Sequence, residues 1–204
     1  YIGAQVLHEG TIFPVREKNI PLNIRNTNDP SNPGTLISDE FNEPRNAPRF
    51  ITGIAGKKDF SIVTISKKGM SGAVGTLRQI MQVFEENNVP VCYTPTGIDC
   101  ISLVVPGEKL RPRQYSLTDA LRRTVRPDHL VIIENIAIVA AVGRKMAYRP
   151  GVSGKIFAKL GENGVNIRMI TQGPEELNII VGVEEKDFEQ AIRVLYNSFV
   201  KENV

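Results

Sequence analysis

The pattern of apolar and polar positions in this chain repeats itself 76 positions apart, over residues 75–105 and 151–181, without a gap. In each stretch a glycine precedes a helix-like pattern, an asparagine follows it, and two alternating apolar segments close the match. Matched pairs include Gly75 with Gly151, Ile80 with Ile156, Asn87 with Asn163, Val91 with Ile167 and Leu103 with Ile179. An internal repeat is a primary signal of architecture, and this period is longer than that of solenoid units. The sequence therefore predicts two copies of one small domain.

The first copy predicts the element order βαββαβ. Strands are expected where apolar residues alternate, over 60–65, 89–93, 99–105 and 130–133, and helices where they recur at helical spacing, over 75–87 and 116–125. We interpret 106–113 as a basic loop. Ser116 with Asp119 resembles a capping box at the start of the second helix.

The second copy follows the same plan but is one strand short. Its strands are expected over 136–142, 165–170 and 177–183, and its helices over 151–161 and 186–200. The unassigned apolar segment 51–55 can supply the missing strand, which would insert the first copy into the second. We place the first copy at residues 50–133 and the second at 134–204.

This element order predicts the α+β class, as two ferredoxin-like units that each have an antiparallel sheet with both helices on one face. Outward positions of the strands still carry apolar residues, and we assign Val63, Val91, Ile138 and Ile167 to them. An uncovered apolar face predicts a partner, either the other copy or a second chain.

Residues 1–49 contain too little apolar pattern for an independent domain. A helix-like face over 1–18, interrupted by Pro14, leads to an alternating segment at 20–25, a loop rich in Asn and Pro at 26–35 and a short strand at 36–37. The polar residues 38–48 are expected to form a linker. Because the chain starts with Tyr1 and enters this pattern directly, we expect a piece of a longer protein, with the body of a first domain upstream.

Composition and charge exclude several classes of function. An apolar fraction of 41% and a charged fraction of 23% are those of a soluble globular protein, and a net charge of +3 is too small to favour nucleic acid or an anionic membrane. The candidate base-stacking strands, at 100–105, 139–144 and 177–182, also lack the aromatic residues that stack on bases in RNA-binding modules of this strand order. The longest apolar run, 131–142, contains Glu134 and is too short to span a bilayer. No nucleic-acid or membrane partner is expected.

The candidate chemistry of the chain is sparse. Cys92 and Cys100 lie eight apart without a CxxC motif, and the chain has two histidines, so we expect no metal site and reduced thiols in a cytoplasmic protein. Residues 151–155, GVSGK, lack the spacing and the hydroxyl residue of a phosphate-binding loop. The glycines at 75 and 151 are consistent with two readings, a tight turn or a helix start whose amide groups bind a carboxylate.

The whole chain resembles the aspartokinase family. Residues 3–37 are similar to the end of the amino-acid kinase domain, and the repeat is similar to the tandem ACT domains of that family. The segments FITGIAGKKDFSIVTI at 50–65 and RPGVSGKIFAKLGENGVNIRMITQG at 149–173 carry the resemblance. It implies a parent enzyme that uses ATP and Mg²⁺ to phosphorylate aspartate at the entry to lysine, threonine and methionine biosynthesis. It also implies that this chain alone has no catalytic residues and no cofactor of its own.

The resemblance also implies an effector site for an end-product amino acid, lysine or threonine, at an interface between paired ACT units of a homodimer. Carried over to this sequence, the site residues are Met70, Gly75, Thr76, Leu77, Val91, Cys92 and Tyr93, with Asp99 as the acidic group for an ammonium. One ATP-contacting position is implied at Gln5 and Val6, where the family often has Lys-Val. The matching set in the second copy, Gly151, Val152, Asn166, Ile167 and Arg168, is expected to build the dimer interface. A purely structural dimerisation module and an amino-acid sensor of another enzyme remain as alternatives.

Overall fold

The computed structural model describes residues 7, 9–38, 51–143, 146, 149–173 and 178–201. The chain divides into two compact units, and the smaller one covers residues 3–48. Each unit has its own sheet.

The smaller unit consists of one helix and a two-stranded sheet. Helix α1 spans Glu9–Glu17 and contains Pro14, and strands β1 (Leu22–Ile24) and β2 (Thr35–Ile37) pair antiparallel. A loop lies between them, as predicted from its composition, and its own side chains hold it: Arg25 donates to the carbonyl of Asn32 at 3.2 Å, and Asn26 Oδ1 accepts from the amide of Asn28 at 2.9 Å. Most of the expected linker lies outside the described residues.

The larger unit is a single five-stranded antiparallel sheet with helices, in agreement with the predicted α+β class. Its strand order is β4-β3-β5-β7-β6. The elements in chain order are β3 (Ile51–Ser66), α2 (Thr76–Glu86), β4 (Cys100–Pro106), α3 (Gly107–Leu110), α4 (Gln114–Thr124), β5 (His129–Gly143), α5 (Val152–Glu162), β6 (Ile167–Gln172), β7 (Asn178–Glu184) and α6 (Phe188–Tyr196).

Two long strands run through both copies of the repeat. The first part of β3 pairs with the end of β5, from Ile51 opposite Gly143 to Lys57 opposite Ile138, and its second part pairs with β4 and the start of β5. Segment 51–55 therefore supplies a strand to the second copy, so the insertion of the first copy into the second is confirmed. The predicted limits of the two copies, at 50, 133 and 134, stay predictions. The limit at 133/134 falls inside the continuous strand β5, which both copies share.

Alternation along the shared strands separates two cores. In β5, the odd positions Ala137, Val139 and Ala141 face the second-copy core under α5 and α6. In β3, Val63 and Ile65 belong to the first-copy core under α2 and α4. This period of two is what a sheet with one helix-covered face requires.

The opposite face of the sheet carries a third buried cluster that combines residues of both copies. Phe60, Ile62 and Val104 come from the first copy; Ile136, Ile138, Ala140, Met169 and Ile180 come from the second. The expectation that the other copy helps to cover this face is confirmed, and Ile138 lies there as predicted. The assignments of Val63, Val91 and Ile167 were wrong: all three side chains pack against the helix-covered cores.

Three local predictions in the first copy were also wrong. Residues 89–93 form only an isolated β-bridge, at Tyr93. The expected loop at 106–113 is helix α3 followed by a 3₁₀ turn over Arg111–Arg113, since proline is tolerated in a first helical turn. Ser116 lies inside α4 rather than before it, and Asp119 forms an ion pair with Arg123 instead of capping the helix.

Candidate functional site

Helix α2 begins at a left-handed glycine and leaves its first amide groups without a cap from a side chain. Gly75 has φ 86° and ψ −2°, which only glycine adopts at little cost, and its carbonyl accepts the first helical hydrogen bond, from the amide of Gln79 at 3.0 Å. The amides at 76–78 therefore precede the helical ladder. Such a helix start attracts an anion such as a carboxylate.

Buried side chains on one face of α2 hold this helix start in place. Ile80, Val83 and Phe84 are buried in the first-copy core at helical spacing, so one face of α2 is held against the sheet. Thr76 is also buried, and its hydroxyl donates to the carbonyl of Ala73 at 3.2 Å. Leu77 points outward and is 52% exposed. Of the predicted site residues at this helix start, it is the one that presents an apolar side chain to a ligand or a partner.

The loop before α2 is anchored by groups that are distant in sequence. Lys67 donates its backbone amide to the carbonyl of Asp99 at 3.0 Å and its ammonium to the carbonyl of Val125 at 2.6 Å. The amide of Lys68 donates to the carboxylate of Asp128 at 2.7 Å. Sequence reasoning missed Lys67 and Asp128, because their role depends on the packing of α4 beside this loop.

The segment beside β4 forms a bulge at the residues predicted to line the site. Cys92 donates its amide to the carbonyl of Val104 at 2.8 Å, while the amide of Val104 donates to the carbonyl of Tyr93 at 2.9 Å. Two residues thus oppose one, as in a β-bulge, and a bulge changes the direction of nearby side chains. Burial, with a smaller contribution from Cys92, raises the pKa of the Tyr93 hydroxyl above its ordinary value.

The predicted residues fall into two groups. Met70 and Val91 pack against the first-copy core, and Asp99 is joined to the same loop through its carbonyl, with an exposed side chain. Cys92 and Tyr93 pack against the third cluster, on the other face of the sheet. Gln5 and Val6, the predicted ATP contact, lie outside the described residues.

The second copy repeats the backbone of this site but not its side chains. Gly151 has φ 86° and ψ −3° before α5, and its carbonyl accepts from the amide of Lys155 at 3.0 Å. Where the first copy has Cys92, the second has Arg168, which lies 3.9 Å from the carboxylate of Glu184. Ser153, in the first turn of α5, bonds to the side chain of Gln172 at 3.4 Å. The two helix starts therefore present different chemistry.

Two further features are absent from the described ranges. No group of His, Cys, Asp and Glu side chains there is arranged to hold a metal ion. No helix in that part of the chain is long and apolar enough to cross a bilayer.

Comparison with known domains defines the class of the fold. Residues 139–199 match the family model of the ACT domain. These residues cover the end of β5, α5, β6, β7 and α6, and the same backbone plan recurs in the first copy. The chain is thus an ACT-domain protein.

Comparison with whole proteins defines the family. The chain is 30% identical to aspartokinase 3 of Bacillus subtilis over 200 residues, which cover 98% of the chain and 43% of the relative. It is 35% identical to a chloroplastic bifunctional aspartokinase/homoserine dehydrogenase 1 of Arabidopsis thaliana over 208 residues, 98% of the chain and 23% of the relative.

A solved structure agrees with these relatives. Aspartate kinase of Clostridium acetobutylicum, described as an allosteric enzyme, superposes with a TM-score of 0.91 at 45% identity, over 98% of this chain and 46% of that one. The chain spans less than half the length of all three proteins. It belongs to the aspartokinase family, and it is equivalent to the ACT-containing regulatory region together with the end of the kinase domain.

Proposed function

We propose that this chain is the allosteric regulatory region of a cytoplasmic aspartate kinase, and that the first copy binds an end-product amino acid. The parent enzyme transfers a phosphoryl group from ATP, with Mg²⁺, to L-aspartate and forms 4-phospho-L-aspartate. The chain by itself carries out no catalysis. The likeness to an allosteric aspartate kinase at 45% identity supports the regulatory role.

The observation that carries the proposal is the uncapped start of α2 after an anchored loop, in a copy that also has a bulged segment at 92–93 paired with the edge strand β4. Amides at 76–78 suit the α-carboxylate of an amino acid, and backbone carbonyls of the bulged segment suit its α-ammonium group. Asp99 is the acidic side chain for a second ammonium, so lysine is the effector that we propose, with threonine as the alternative. Effector binding regulates the kinase only if its affinity differs between the active and inactive states.

Calorimetric titration with lysine, threonine and methionine tests the proposal. We expect heat with lysine and, as a matched pair of variants, loss of that heat in Gly75→Ala but not in Gly151→Ala. Both glycines have φ 86°, so the two variants carry the same backbone strain, roughly 1–2 kcal/mol, at different helix starts. An absence of heat with all three amino acids, or equal loss in both variants, would contradict the proposal.

Dimerisation through the ACT units is a second proposal, and exposed apolar side chains support it. Val131 in β5 is 50% exposed, and Leu77 at the start of α2 is also exposed. Light scattering should show a dimer that Leu77→Asp or Val131→Asp weakens. A dimer that binds none of the three amino acids would favour a purely structural module, and a parent protein without an upstream kinase segment would favour a sensor of another enzyme.

A further inference from the structure

Asp59 lies at the point where strand β3 leaves the second copy and enters the first. The register of β3 against β5 shifts on both sides of Phe60, between Lys57 and Phe60 and again between Phe60 and Ile62. Asp59 itself has φ 65°, a left-handed conformation that aspartate adopts more readily than most residues. The strand therefore bends at this residue as it passes from one copy to the other.

The first copy holds the carboxylate of Asp59 through the segment that follows β4. Arg111 donates from Nη1 to Oδ1 at 2.5 Å and from Nη2 to Oδ2 at 2.9 Å, a two-pronged ion pair. The amide of Glu108 donates to Oδ2 at 3.2 Å. Gly107 makes this approach possible, because a Cβ there would collide with Oδ1 of Asp59.

The second copy holds the same turn through the segment that follows β7. The amide of Asp59 donates to Oε1 of Glu185 at 2.7 Å. The neighbouring Lys58 bonds to Glu189, and its Nζ lies 5.1 Å from the centroid of the Phe188 ring. One dipeptide, Lys58–Asp59, thus has partners in both copies.

We propose that Asp59 is a positioning residue that couples the two ACT copies, with Arg111 and Glu185 as its partners on the two sides. The equivalent segments of the repeat, after β4 and after β7, meet at one turn of a strand that both copies share. A displacement of residues 107–111 in the first copy then reaches residues 185–189 in the second through Asp59. This coupling is a property of the fold and holds whether or not an amino acid binds.

Amide hydrogen exchange on the full chain tests the coupling. In Arg111→Met we expect the amide of Asp59 and those of residues 185–189 to exchange about five- to tenfold faster, because a lost hydrogen bond of ordinary net strength corresponds to a change of that size. The matched control is Arg123→Met, which removes an ion pair inside α4. It should leave residues 185–189 unchanged. Faster exchange confined to residues 107–113 in Arg111→Met would overturn the proposal.

Asp59→Gly, alone and combined with Arg111→Met in a double variant, separates the side chain from the backbone turn. Asp59→Gly keeps access to positive φ and removes the whole side chain with its carboxylate, so it should accelerate exchange at 185–189 as Arg111→Met does. The double variant should then show no greater acceleration than either single variant, as for two changes that break one interaction. Effects that multiply in the double variant would show that the two residues act independently and would refute the coupling.

Discussion

At the scale of single residues, the carboxyl group of Asp59 makes the stability of the fold depend on pH. The hydrogen bond from Arg111 is the largest influence on its pKa and lowers it below the ordinary value of 3.8, although partial burial acts in the opposite direction. Because the pKa in the folded state lies below that in the unfolded state, the ionised group stabilises the fold above the unfolded pKa. That contribution is lost as the pH falls through the folded pKa.

We therefore expect a pH-dependent difference between the wild type and Asp59→Asn. Asparagine tolerates the left-handed conformation but carries no charge, so the variant should melt at a lower temperature near neutral pH. The gap should narrow as the pH falls from about 4, where the carboxylate of the unfolded chain takes up its proton, towards the lower pKa of the folded state. Thermal unfolding followed by circular dichroism between about pH 7 and pH 3 measures it. The side chains of Asp59 and Arg111 are 44% and 54% exposed, so the gap should be small and should shrink with salt. A gap that is constant with pH would contradict this assignment.

At the scale of elements, helix α6 can pack on the sheet because β3 has a glycine beneath it. A Cβ on Gly56 would lie 2.5 Å from the ring of Phe188 and 2.9 Å from Cδ1 of Ile192. Both side chains pack against the second-copy core. The position of α6 therefore depends on the absence of one methyl group.

Gly56→Ala should lower the free energy of unfolding by roughly 1–3 kcal/mol, the usual cost of overpacking a core. Urea denaturation measures this, and Gly53→Ala is the control in the same strand, since a Cβ on Gly53 meets no atom within 4 Å. Shortening the neighbour, as in Gly56→Ala with Phe188→Leu, should recover part of the loss. Equal effects of the two glycine variants would show that strand propensity, rather than the contact with α6, sets the cost.

At the same scale, the observed elements can be compared with those that the sequence predicts. The apolar spacing placed every helix of the larger unit except α3 to within two residues at its start, and the repeat paired Gly75 with Gly151, whose backbone angles agree to within a degree. The irregular segment at 89–93 was predicted as a strand, because the bulge opposite Val104 leaves no mark in the apolar pattern. The roles of Lys67 and Asp59 could not be predicted either, since their partners lie 58 and 52 residues away.

At the scale of the whole molecule, the insertion of one ACT copy into the other makes the second copy discontinuous. Ile51 lies in the second-copy core, and the segment that follows it pairs with the end of β5. Residues 134–204 alone lack this strand and would expose one edge of β5.

A peptide of residues 134–204 should therefore remain unfolded, whereas the same peptide preceded by residues 51–57 and a short flexible linker should fold. Far-ultraviolet circular dichroism with a thermal melt distinguishes the two, because only the second should show a cooperative transition. A cooperative transition in residues 134–204 alone would show that the strand from β3 is dispensable.

The shared strand also determines how this molecule bears mechanical load. Tension applied between Ile51 and the end of α6 pulls on the strand of residues 51–57 and on the last helix, both of which belong to the second copy. The first copy lies in the chain between residues 57 and 138, inside a loop that is closed by the pairing of those two residues. The inserted copy thus carries no stretching force until the hydrogen bonds between β3 and β5 in the outer copy have ruptured, so the outer copy protects the inner one from pulling.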